Sequence, residues 1–120
     1  MDFVGWQNIL AYQLAAGAQP DERWRVGATY HVFRLMEPSD AAYLATGTPW
    51  LRGDADFSRA LANEVDLEIE FEPQAGLSLL AQFATWLPGR YQEEALGGSV
   101  TAPQALDPAY AIYVQASAEF

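Results

Sequence analysis

Residues 61–72 read LANEVDLEIEFE. Leu61, Val65, Leu67, Ile69 and Phe71 share one parity, with Asn63 the exception. Ala62, Glu64, Asp66, Glu68, Glu70 and Glu72 share the other. A period of two sends successive side chains to opposite sides of an extended chain, whereas a helix would mix the two sets around its circumference. The stretch reads as a strand with one face of hydrocarbon and one of carboxylate.

The same period extends outward in both directions. Leu10 to Gln19 sets Leu10, Tyr12, Leu14, Ala16 and Ala18 against Ala11, Gln13, Ala15, Gly17 and Gln19. Arg23 to Arg34 sets Trp24, Val26, Ala28, Tyr30 and Val32 against Arg23, Arg25, Gly27, Thr29, His31 and Phe33. Leu77 to Leu87 alternates less cleanly, blurred by Leu80 and Thr85. The chain closes on AYAIYVQASAEF, with Tyr110, Ile112, Val114, Ala116, Ala118 and Phe120 on one parity. The expected fold is all-β: an antiparallel up-and-down meander of about five strands, in a single segment spanning residues 1–120.

The connections differ in length. QPDE (19–22) and EPQAG (72–76) are tight turns bearing proline. Residues 37–60 and the stretch YQEEALGGSVTAPQALDP (91–108) are long, the latter with a turn signal at Gly97–Gly98. Short and long links alternate, so the long ones fall at one end of the sheet and the short ones at the other. Outer-membrane barrels have short turns on one side, long loops on the other, and tilted strands of about 9–11 residues that alternate apolar-out and polar-in. Aromatic residues near the strand ends suit interfacial girdles. The expected architecture is the C-terminal segment of a transmembrane β-barrel in a bacterial outer membrane.

Composition narrows the function. Sixteen acids against six bases give a formal net charge of -10, and all six bases are arginine. Such a chain is unsuited to a nucleic-acid backbone, which requires a basic surface. No cysteine is present, which excludes disulfides and thiolate chemistry. No apolar run is long enough for a membrane helix, and MDFVGWQNIL lacks the features of a signal peptide. The expectation is that a signal and further strands belong to a preceding part of a longer chain.

Enzymatic chemistry finds little footing. His31 is the single histidine, and an ordinary metal site draws on two or more His or Cys ligands. Glu64, Asp66, Glu68 and Glu70 alone would form a line along one strand, spaced about 6–7 Å apart, rather than a cage. RGDADFS (52–58) lacks calcium-loop spacing. No catalytic residue, cofactor site or metal site is expected. The expected pore-lining set is Arg23, Arg25, His31, Glu64, Asp66, Glu68, Glu70, Gln82, Tyr113 and Gln115. Antiparallel pairing should bring Arg23 and Arg25 near Glu68 and Glu70, and His31 and Arg34 near Glu64 and Asp66. Tyr110, Ile112, Val114 and Phe120 are expected to face lipid.

The order GWQN (5–8), TYHVFRL (29–35), NEVDLEIEFEP (63–73), LSLLAQFATWLPGRY (77–91) and a Phe-ended strand resembles the C-terminal part of the alginate export family of bacterial outer-membrane proteins. Glu64, Val65, Asp66 and Leu67 match that family's third segment, and Leu87, Pro88 and Gly89 its fourth. Asn63 departs from the usual residue before Glu64, and Leu87 stands where the family has an aromatic. The resemblance implies a large monomeric barrel of which this is the last third, passing anionic polysaccharide or small anionic solutes. It also implies that the terminal strand and Phe120 are read by the outer-membrane assembly machinery. The acidic strand face runs against a polyanionic solute and leaves neutral or cationic solutes open. Two other readings stay open: a small soluble all-β ligand-binding module, and a strand that docks by addition to another chain.

Overall fold

The computed structural model describes residues 8–44, 46, 49–96 and 107–120. Residues 5–7 of GWQN and the glycine pair at 97 and 98 lie outside the described residues. Five long strands form one antiparallel sheet. They are β1 (Ile9–Asp21), β2 (Trp24–Leu35), β5 (Ala60–Gln74), β6 (Leu77–Pro88) and β7 (Ala109–Ala118), paired in that order. Two short strands, β3 (Ala41–Tyr43) and β4 (Pro49–Arg52), make a hairpin inside the first long connection. A six-residue helix, α1 (Arg90–Ala95), opens the second. The sheet is the expected meander, since each main strand is hydrogen-bonded to the next main strand along the chain.

The turns hold the register. Asp21 pairs with Trp24, leaving only Glu22 and Arg23 between them, and the Asp21 carboxylate accepts from the backbone N–H groups of Arg23 (2.7 Å) and Trp24 (3.2 Å). A side chain that captures two amides in this way closes a turn without a ladder partner. The turn thus falls later than QPDE suggests. Pro20 belongs to β1, where the register slips between Ala18 and Asp21, and a residue without an N–H is accommodated at such an irregularity. At the second turn Gly76 takes φ +80°, a left-handed conformation that glycine enters without a Cβ clash.

The last strand also ends earlier than expected. Leu77 pairs with Ala118, and the Glu119 N–H donates to the Gly76 carbonyl at 2.7 Å. Beyond that point β6 has turned away, so Phe120 lies outside the ladder with its side chain fully exposed.

The buried core occupies one end of one face. Ile9, Phe33, Leu35, Leu61, Ala62 and Trp86 from the sheet pack with Ala42, Leu51 and Tyr91 from the hairpin and α1. The two long connections therefore fold back over the sheet at their own end. Gly53 fits there only without a side chain: a Cβ would overlap the Pro38 carbonyl and meet the Tyr91 hydroxyl at 2.6 Å. Asn8 ties the cap down, donating from Nδ2 to the carbonyls of Glu37 (2.8 Å) and Ala41 (3.2 Å) and accepting from the Glu37 N–H at 2.8 Å.

Candidate functional site: a two-faced sheet

Register converts the alternation in sequence into rows across the sheet. On one face, the row nearest the short turns is Asp21, Trp24, Phe71, Leu79 and Ala116. The next is Ala18, Val26, Ile69, Ala81 and Val114, followed by Ala16, Ala28, Leu67, Phe83 and Ile112. Leu14, Tyr30, Val65, Thr85 and Tyr110 come next, and then Tyr12, Val32, Asn63 and Leu87. Thr85 and Asn63 are the uncharged polar members of these five rows, and the one charged member, Asp21, sits in the turn with its carboxylate on backbone N–H groups. From Trp24 to Val32 the band runs about 27 Å along the strand. At a tilt near 40° its height is about 21 Å, close to the apolar belt of membrane barrels.

This face is open to solvent. Leu14 is 75% exposed, Ile112 76% and Val114 72%. Aromatic rings concentrate at its two borders. Trp24 stacks on Phe71 with centroids 4.2 Å apart on the short-turn side. Tyr12, Tyr30 and Tyr110 lie in the last two rows on the other side, with Tyr110 stacked on Phe83 at 6.0 Å. Tyr110, Ile112 and Val114 thus occupy the expected face, whereas Phe120 belongs to neither face of the sheet. Arg34 shares the apolar parity and pairs with Leu10 and Ala60, away from Glu64 and Asp66.

The opposite face carries the charge. Arg25, His31, Glu64, Asp66, Glu68, Glu70, Gln82, Tyr113 and Gln115 all project to it, as the register requires. Arg25 pairs with Glu70 at 2.8 Å and with Glu72 at 3.4 Å. Gln82 donates to Glu68. Tyr113 donates to Gln115 at 2.7 Å, and Gln115 donates to Ser117 at 3.0 Å. Arg23 departs from expectation. It occupies the turn, where its carbonyl accepts from the Glu72 N–H at 2.8 Å, and Glu68 is held by Gln82 instead.

Small residues hollow this face. Gly17 pairs with Gly27, and Ala15, Thr29 and Ala84 flank them. They line a groove of about 480 Å³ into which Asp66, Glu68 and Gln82 also open. Above the groove, toward the long connections, His31 stacks on Phe33 at 5.8 Å and Phe33 on Trp86 at 5.4 Å. This aromatic run covers Glu64, which lies in register between His31 and Trp86 and is 2% exposed. His31 Nε2 is 3.0 Å from Asp66 Oδ2.

Neither the cap nor the cross-strand grouping of His31 with two carboxylates stands out in the sequence. The cap's sequence signal is faint: β3 has three residues, and α1, RYQEEA, carries one large apolar side chain. The grouping is half visible, since antiparallel pairing puts both carboxylates near His31, although along one strand the acids alone form a line.

Compared with protein-family models, with curated proteins and with solved structures, the chain matches none.

Proposed function

We propose that this chain forms a wall segment of a passive transport barrel in a bacterial outer membrane. Its apolar face meets lipid and its acidic face lines a lumen. The observation that carries the reading is the apolar band of five rows, charged only at Asp21 in the first turn, solvent-exposed in the isolated sheet and bordered by aromatic rings. A contiguous apolar surface of this extent requires an apolar neighbour. A bilayer accepts a sheet face of this height, provided that backbone groups at the sheet edges are paired.

Strands β1 and β7 each have one unpaired edge in the described sheet. Five strands fall short of the eight or so that close the smallest barrels. In this reading the remaining strands belong to a longer chain. The cap of hairpin and helix then folds into the lumen at the long-loop end and narrows it. The segment order that resembles the alginate export family extends the proposal to export of extended solutes. The face itself favours neutral or cationic ones, because Arg25, paired with Glu70 and Glu72, shares it with the further carboxylates Glu64, Asp66 and Glu68.

Washing membranes with alkaline carbonate tests the proposal. The chain should remain in the pellet and be released only by detergent. Recovery in the wash as a monodisperse soluble monomer would contradict it and favour a soluble module that buries the apolar face.

A further inference from the structure

His31, Glu64 and Asp66 reach one point from two strands. A nitrogen of His31 and one oxygen from each carboxylate all lie within 4.8 Å of one another. His31 and Glu64 are directly paired across β2 and β5, while Asp66 is two residues along β5 on the same face. Two carboxylates this close repel each other unless a proton or a cation lies between them. Asp66 turns one oxygen, Oδ2, toward His31, and its other oxygen, Oδ1, is buried with no hydrogen-bond partner. A carboxylate oxygen withdrawn from water with no donor to meet it is what an inserted cation would satisfy.

We propose that His31, Glu64 and Asp66 form a binding site for one divalent first-row transition ion, of which Zn²⁺ is the type. One imidazole nitrogen and two carboxylate oxygens suit Zn²⁺ better than Ca²⁺ or Mg²⁺, which prefer oxygen alone. Ligand atoms on a tetrahedral ion at about 2.0–2.1 Å stand about 3.3 Å apart. The trio needs only small side-chain rotations to contract to that size. Phe33 and Trp86 close one side of the site, and their stacked rings restrict the imidazole. Asp66 borders the groove, from which water or a solute atom can complete the coordination. The site uses neighbouring strands only, so it stands whether or not the sheet belongs to a barrel.

The test is calorimetric titration of the full chain, in buffer or detergent as it is recovered, with Zn²⁺, Ca²⁺ and Mg²⁺ in turn. The wild type should bind one Zn²⁺, preferred over Ca²⁺ and Mg²⁺, and Co²⁺ should give visible d–d bands with nitrogen ligation. His31→Gln and Asp66→Asn should each weaken Zn²⁺ by more than about tenfold. Glu68→Gln, outside the trio, should leave binding unchanged. Buried Glu64 is a poor sole test, because its replacement can disturb the fold; His31→Gln, with its sheet signal checked by circular dichroism, decides. Weak multi-site binding of all three ions, insensitive to His31→Gln, would overturn the proposal and leave a diffuse acidic surface.

Discussion

Phe33 and Trp86 stack at 5.4 Å although they belong to strands that are not neighbours. Strand β5 runs between them, and it presents Ala62 at the level of Phe33. A larger residue at 62 would hold the rings apart. Their contact joins β2 and β6 across β5 and supports the cap, since both rings share the core with Tyr91, Leu51 and Ala42.

Trp86→Ala should therefore destabilise the cap end by about 3–5 kcal/mol, the usual range for removing a large buried aromatic. Denaturant unfolding of the purified chain measures it. Leu79→Ala, on the exposed apolar face, should cost far less in the same assay, because its side chain is 40% exposed.

Gly53→Ala should be costly for a different reason. The new methyl would overlap the Pro38 carbonyl, which is backbone and cannot swing aside. The segments around residues 38 and 53 that flank the hairpin must separate, at an expected cost of about 1–3 kcal/mol. Protease nicking of the long connection should accelerate in this variant, with the five-strand sheet unaffected.

High pH should loosen the cap. Burial among the loops pushes the Tyr91 phenol above its usual value, outweighing a hydrogen bond from the Ala42 backbone that acts the other way. A phenol whose folded pKa exceeds its unfolded value contributes stability that is intact below about pH 10 and lost as pH rises through the folded pKa. Tyrosinate absorbance should show Tyr91 titrating late, and Tyr91→Phe should remove that late phase. Loss of stability starting well below pH 10 would locate the alkaline sensitivity elsewhere.

The Arg25–Glu70 pair should contribute little to stability. Its side chains are half and about one-third exposed, and exposed ion pairs are worth up to about 1 kcal/mol. A double-mutant cycle with Arg25→Gln and Glu70→Gln measures the coupling. In a conducting barrel, Arg25→Gln should raise cation preference, because it removes this arginine from an acidic lining.

The sheet was legible because period two is a strong signal when repeated over twelve residues. Strand β5 separates Val65, Leu67, Ile69 and Phe71 from Glu64, Asp66, Glu68 and Glu70, and no helical arrangement reproduces that. The Arg25–Glu70 contact followed from the same register. The trio was harder to foresee because it depends on a diagonal: His31 pairs with Glu64 but hydrogen-bonds to Asp66, one row nearer the short turns. The cap was opaque because its contacts are long-range. Tyr91 reaches the carbonyls of Asp40 and Leu51, at 3.2 and 3.4 Å, and no local pattern encodes that meeting. Phe120 misled because parity continues past Ala118, while a ladder ends where its partner strand turns away.

The most direct measurement uses the absence of native cysteine. Single spin labels at Glu68→Cys and Ile69→Cys, adjacent on β5 but on opposite faces, would be compared in lipid vesicles for collision with oxygen, which concentrates in hydrocarbon, and with a water-soluble nickel chelate. The label at 69 should meet oxygen and exclude the chelate, while the label at 68 should show the reverse. Equal access of the chelate to both labels, or exclusion of both reagents at 69, would contradict a lipid-facing wall.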